Sequence, residues 1–199
     1  MTNNSEASAF QQMAVEHLPG LFALARHLTD TDADAEDLVQ EALLKAYRSF
    51  DSLEEPAAAG RWMRVILTNL WRDRMRKRGR SPREVPFDDV EDFSLYGILV
   101  EEDPFPYSDT LHLDFLGSFS KEDVHVVLRR LPELYRAPLV LRYIEAFATK
   151  EVARLLGVPL GTALARLHRG RKLFEKAMWD YANETNAFTS EAAAVRGCR

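Results

Sequence analysis

Ala148-Thr-Lys-Glu-Val-Ala-Arg-Leu-Leu-Gly157-Val-Pro-Leu-Gly-Thr-Ala-Leu-Ala-Arg-Leu-His-Arg-Gly-Arg-Lys-Leu-Phe174 is the stretch whose reading decides the fold. It predicts two helices around a tight turn. The first is short and carries Val152, Leu155 and Leu156 on one side. Gly157 is a helix stop, because glycine accepts the left-handed conformation that ends a helix. Pro159 suits the first position of a new helix, where its missing N–H costs nothing. A short helix, a Gly turn and a longer basic helix form the helix-turn-helix pattern.

On a wheel of 100° per residue, Leu160, Ala163, Leu164, Leu167 and Phe174 share one side of the second helix. Thr162, Ala165, Arg166, Arg169 and Lys172 share the other. That second face has long cations, a hydroxyl, small residues and no acid. It is suited to a major groove, where arginines reach phosphates and guanine edges. A solvated basic face on a structural helix is the competing reading. The Gly-x-Pro turn and the lack of acids favour DNA. Arg171 falls on the apolar side, which predicts a snorkelling stem or a pair with an acid such as Glu151.

Outward from this motif the charge is unevenly spread. The 199 residues sum to a net charge of −5. Basic residues crowd 61–83, where Asp73 is the only acid, and again 129–172. Between them, from Glu84 to Asp123, Lys121 is the only cation. Distribution matters more than the sum for a nucleic-acid binder. The one cysteine, Cys198, gives no internal disulfide and no Cys-based metal site, which fits a cytoplasmic chain. The start lacks the basic and apolar regions of a signal peptide, and no apolar run is long enough to span a bilayer. There is no Gly-rich phosphate loop and no nucleophile–base set, and His17, His27, His112, His125 and His168 are scattered. An enzyme is therefore disfavoured, and no cofactor is implied.

Toward the N-terminus, Phe10, Met13, Ala14, Leu18, Leu21, Leu24, Ala25 and Leu28 lie on one helical face. Pro19 is expected to kink or split this helix, His17 to sit at a core edge, and residues before Ala7 to fray. Thr31 with Asp34 resembles a capping box. The helix that follows has Ala35, Leu38, Val39, Ala42, Ala46, Tyr47 and Phe50 as its core stripe. Opposite lie Asp37, Gln40, Glu41 and Arg48 around Leu44. An apolar residue ringed by polar groups resembles a protein-contact hot spot, although a lone exposed leucine usually means nothing. After a loop over 51–60, a helix from Arg61 to Arg78 places Trp62, Ile66 and Leu70 on its core side. Trp71 and Met75 point away, among Arg61, Arg64 and Arg72. An indole between guanidiniums can stack an unpaired base; the competing reading packs it on a neighbouring helix.

Both halves resemble the bacterial sigma-70 family, in its small extracytoplasmic-function group of RNA polymerase sigma factors. The residues carrying the resemblance are Asp34-Ala-Glu-Asp-Leu-Val-Gln-Glu-Ala-Leu-Leu-Lys-Ala-Tyr47, then Trp62 to Asn69 with Asp73 and Arg76. In the second half they are Leu131-Pro132, Arg136, Glu151-Val152-Ala153, and Gly161-Thr162 with Arg166 to Arg171. The resemblance implies an all-α chain of two small helical domains joined by a long acidic linker. The expected divisions are 1–80 (sigma-2-like), 81–122 (linker), 123–182 (sigma-4-like) and 183–199 (flexible tail). It implies core RNA polymerase binding through Asp37, Gln40, Glu41, Leu44 and Arg48. It implies minus-ten DNA contacts from Arg61, Arg64, Asn69, Trp71, Arg72 and Arg76, and minus-thirty-five contacts from Thr162, Ala165, Arg166, Arg169 and Lys172. Core polymerase, promoter DNA and an anti-sigma factor are the implied partners. Ala146 departs from the family's usual glycine, and Ala163 and Ala165 from a frequent valine and serine. The alternative is a one-component helix-turn-helix regulator, which would need an effector domain in the N-terminal half.

Overall fold

The computed structural model describes residues 2–53, 55–79 and 119–185, and every regular element among them is helical. The N-terminal half is a three-helix bundle of α1 (Thr2–Leu28), α2 (Asp32–Arg48) and α3 (Ala59–Lys77). Short 3₁₀ turns at Phe50–Ser52 and Pro56–Ala58 lead from α2 to α3. The C-terminal half contains α4 (Lys121–Arg130), α5 (Glu133–Leu139), α6 (Thr149–Leu156) and α7 (Leu160–Thr185). The expected linker over 81–122 lies outside the described residues except at its end, where Lys121 and Glu122 already belong to α4. Ser120 caps that helix, and the Asp123 carboxylate accepts from the Ser120 amide at 2.8 Å. The expected tail lies outside the described residues beyond Thr185, to which α7 extends.

α1 starts at Thr2, earlier than the expected frayed end, and runs unbroken through Pro19. Proline removes the N–H that would have served the Val15 carbonyl. Val15 is 66 % exposed, so water can serve that carbonyl instead. α2 begins as read, with the Asp34 amide donating to Thr31 Oγ1 at 3.0 Å. The helix-turn-helix is also as read: Gly157 has φ 67°, and the Val158 amide donates to the Ala153 carbonyl at 3.0 Å.

One apolar core runs through both halves. Leu21, Leu24, Leu38, Leu67 and Trp71 join Leu141, Phe147, Val152 and Leu155 in a single cluster. A second cluster, with Val127, Leu131, Leu167 and Met178, holds α4 against α7. Several wheel assignments fail at its margins. Leu18, Leu160 and Leu164 are 40 %, 40 % and 52 % exposed, and Tyr47, placed in the α2 core, is 48 % exposed. A wheel shows which side of a helix is apolar, and not how far a neighbouring helix covers it.

α5 does not continue as a regular helix. Pro138 cannot donate within α5, and a π turn spans Val140–Ile144. The Glu145 amide then donates to the Val140 carbonyl at 3.0 Å. Ala146 follows with φ 55°, the one described non-glycine residue with positive φ. It is exposed, so backbone strain is its main cost, about 1–2 kcal/mol for a side chain held left-handed. Ala146→Gly relieves that strain and adds some unfolded-state freedom. A net gain of about 0.5–1 kcal/mol is expected, or roughly 2 °C in Tm by calorimetry. A lower Tm would mean that the turn costs nothing as it stands.

Candidate polymerase and promoter interfaces

The first surface is on α2. Packing Ala35, Leu38, Val39, Ala42 and Ala46 inward turns Leu44 outward at 59 % exposure. Asp37, Gln40, Glu41 and Arg48 are all exposed with it. The end of α3 reaches this rim: Arg74 Nη2 donates to Glu41 Oε2 at 2.7 Å and to the Asp37 carbonyl at 3.3 Å. Arg78 Nη2 donates to Asp34 at 3.1 Å. The Thr31 hydroxyl, and secondarily Arg78, hold the Asp34 carboxyl below the usual carboxylate range. Tyr47, one turn on from Leu44, enlarges the exposed apolar area and rests edge-on against Phe10 with ring centroids 5.2 Å apart. Its exposure could not be read from the stripe, because Val39, two turns back, and Ala46, beside it, are core.

The second surface is the basic side of α3, and most of it faces the C-terminal half. Arg61 Nη2 meets Glu151 Oε2 at 2.6 Å, and its guanidinium lies 4.3 Å over the Phe147 ring. Glu151 also accepts from the Ala148 amide at 2.8 Å, and the two contacts hold its carboxyl below its usual range. The acid expected beside Arg171 is thus engaged by Arg61, and Arg171 is exposed. Arg64 Nε meets Glu145 Oε2 at 2.6 Å, with the Glu145 side chain only 8 % exposed. Burial pushes the Glu145 carboxyl up against the pull of Arg64. Arg72 Nη1 donates to the Leu155 carbonyl at 3.0 Å. Asn69 is half-buried and Arg76 exposed.

Trp71 is a correction. It is 6 % exposed, and its indole N–H donates to the Leu28 carbonyl at 2.9 Å. α3 packs against α1, α2 and α6 at once, so both of its sides become interior. The packed reading of this indole holds, and the base-stacking one does not.

The third surface is on α7. Ala163, Leu167 and Gly170 are its buried line. Ala165 is exposed, while Thr162, Arg166, Arg169 and Lys172 are half-buried. Arg166 looks into a cleft of about 510 Å³ between the halves, lined also by Trp71, Arg72, Met75, Arg76 and Leu134. Further ion pairs fasten the seam. The buried Arg136 meets Asp30 at 2.8 Å, and Arg26 meets Glu122 at 3.3 Å. His27 and His125 face each other with Nδ1 atoms 3.2 Å apart. Burial, then the charges of His125, Arg26 and Arg136, push His27 down to about 4. Burial lowers His125 as well, and the two Nδ1 atoms stand where one ring can donate to the other.

The chain's relatives carry the same two regions. Residues 13–81 match the sigma-70 region 2 family and residues 121–174 the sigma-70 region 4 family. The ECF RNA polymerase sigma factor SigE of Mycolicibacterium smegmatis is 33% identical over 177 residues, covering 89% of this chain and 64% of SigE. SigM of Mycobacterium tuberculosis is 31% identical over 164 residues, covering 82% of this chain and 74% of SigM. SigW of Bacillus subtilis is 27% identical, covering 88% of this chain and 91% of SigW. Among solved structures, the sigma factor RpoE of Bartonella quintana, crystallised with the anti-sigma factor NepR, superposes with a TM-score of 0.56 at 27% identity. It covers 85% of this chain and 96% of RpoE. With a region 2 bundle, a region 4 helix-turn-helix and relatives of this kind, the chain belongs to the extracytoplasmic-function group of sigma-70 RNA polymerase sigma factors.

Proposed function

We propose that this sigma factor divides its work among the three surfaces in chain order. The α2 patch around Leu44, with Asp37, Gln40, Glu41 and Arg48, docks on core RNA polymerase. The α3 face, with Arg61, Arg64, Asn69, Arg72 and Arg76, holds the opened minus-ten strand. The α7 face, with Thr162, Ala165, Arg166, Arg169 and Lys172, reads the minus-thirty-five element. The functional divisions are 1–80, 81–122, 123–182 and 183–199. The observation that carries this reading is the outward Leu44 in its polar ring, on the same bundle whose next helix bears the arginines. A one-component regulator is not favoured, since the N-terminal half matches sigma region 2 in the place of an effector domain.

An anti-sigma factor is a further partner in this reading, because the superposed RpoE was crystallised with one. The chain works in the cytoplasm, alongside polymerase. Among the described residues no helix is long and apolar enough to cross a membrane.

Arg166→Ala and Arg169→Ala test the third surface. A bidentate base contact is worth about 1–3 kcal/mol, or roughly 5- to 150-fold in promoter affinity. Run-off transcription with core polymerase should fall by such a factor on a minus-thirty-five-dependent promoter, with core pull-down unchanged. Normal transcription by both variants would place the reading face elsewhere on α7.

A further inference from the structure

α1 and α4 meet across the seam at two histidines. We infer that this contact is an acid-sensitive latch, in which proton uptake by His27 and His125 parts α4 from α1 and loosens the docking of the two halves. The ring centroids are 5.1 Å apart and the Nδ1 atoms 3.2 Å apart. That gap holds one proton between two nitrogens. An imidazolium carries a proton on both of its nitrogens, so two imidazoliums would aim two N–H groups at each other.

The surroundings also oppose an added charge. His125 is 4 % exposed, and its Nε2 has no hydrogen-bond partner among the described residues. In the cationic ring that atom is always a donor, and a charged group left unsatisfied in the interior costs more than a neutral one. Every element packed around the pair brings charge of its own. Arg26 comes from α1, Asp32 from the start of α2, Glu122 and Arg129 from α4, and Arg136 from α5. The acids are already engaged by arginines. Arg26 meets Asp32 and Glu122 at 3.3 Å each, and Arg136 meets Asp30 at 2.8 Å and Glu133 at 3.9 Å. Burial is the main reason that His27 lies down at about 4 and that His125 is lowered too, and Arg26 adds to both.

A histidine that faces water takes up its proton near about 6.5. Parted halves therefore bind protons that docked halves do not. Docking keeps its full strength above about 6.5 and loses it as pH falls from there toward about 4. Between about pH 7.5 and about pH 5.5, His27 alone shifts the equilibrium about tenfold toward the parted form. His125 adds to the shift in the same direction. Asp30 and Glu133, which hold Arg136, also line the cleft into which Arg166 looks. Acid thus opens the approach to the α7 face, a consequence that rests on the minus-thirty-five role proposed for that face.

The experiment uses the full chain with Cys198→Ser and dyes on cysteines introduced by Lys45→Cys and Asn183→Cys, both exposed positions and one on each half. Energy transfer and helical circular dichroism are followed together through urea at about pH 7.5 and about pH 5.5, with a chelator present. Transfer should be lost ahead of the helical signal, which marks parting rather than unfolding. The equilibrium constant for that loss, extrapolated to zero urea, should rise tenfold or more at the lower pH. His27→Gln with His125→Gln leaves on each side an amide able to donate and accept and removes both proton sites, so its constant should move less than about twofold. His27→Gln alone, on the half-buried ring, should flatten the response in part, and it decides the matter if the double variant does not fold. The inference is overturned if the parent shows no dependence on pH, if transfer and helix are lost together at both pH values, or if the glutamine variants respond as the parent does. The last result would give the response to another group, with Glu145, buried against Arg64, the first to change. None of these results touches transcription by Arg166→Ala and Arg169→Ala, which tests the α7 reading by itself.

Discussion

Trp71→Ala will destabilise the whole chain before it affects any DNA contact. The indole is 6 % exposed and belongs to the core shared by the two halves. Truncating a buried tryptophan costs about 3–5 kcal/mol through lost burial and an unfilled cavity. The loss has a polar component as well. α1 ends at Leu28, whose carbonyl is among those a helix end leaves without an internal partner. Trp71 Nε1 serves it at 2.9 Å. A fall of about 10–15 °C in Tm is expected, at roughly 2–4 °C per kcal/mol for a chain of this size. Trp71→Phe keeps most of the apolar volume and loses the N–H, so it should cost much less, about 1 kcal/mol for the hydrogen bond plus some packing. Calorimetry on the two variants decides the matter. If Trp71→Ala melts within a degree or two of the parent and fails only in strand opening, the indole is a DNA contact after all.

This residue marks where sequence reading stops. The turn at Gly157 was legible because its cause is local, a left-handed residue after an amphipathic helix. The α2 patch was legible because one stripe on that helix is unmistakably core, so its opposite side is outside. α3 defeated the same method. A wheel asks which side of a helix is apolar, and α3 packs against neighbours on more than one side, one of them α6, which follows at a distance of more than seventy residues. For the same reason Glu151, on the first helix of the helix-turn-helix, was expected near Arg171 of the second and is found on Arg61. The π turn over Val140–Ile144 follows Pro138, which removes one helix donor but does not by itself specify the widened turn. The facing of His27 and His125, and the whole seam they belong to, depends on how the halves dock. Sequence separation holds no signal for that.

Leu44→Arg should abolish core polymerase binding and leave the fold intact. Leu44 is 59 % exposed, and no described helix covers it. A surface substitution away from special features changes stability by about 0.5 kcal/mol or less. The new guanidinium can lie among Asp37 and Glu41 in the free chain without clash. At an interface the same position is central. An apolar anchor inside a polar rim commonly supplies about 2 kcal/mol or more, and an arginine there would be desolvated without a dedicated partner. A loss of at least about thirtyfold in core affinity follows. Asp37→Arg should weaken binding with a stronger salt dependence, since a rim charge acts over a distance that salt screens. Arg74→Ala provides an internal contrast. It frees Glu41 from its 2.7 Å partner and should alter affinity only modestly, because the anchor is untouched. Circular dichroism melts and pull-down with core polymerase measure these outcomes. Were Leu44→Arg to unfold, α2 would be rotated from the phase described. Were it to fold and bind core normally, the docking surface would lie elsewhere on the N-terminal bundle, with the exposed Tyr47 the next position to change.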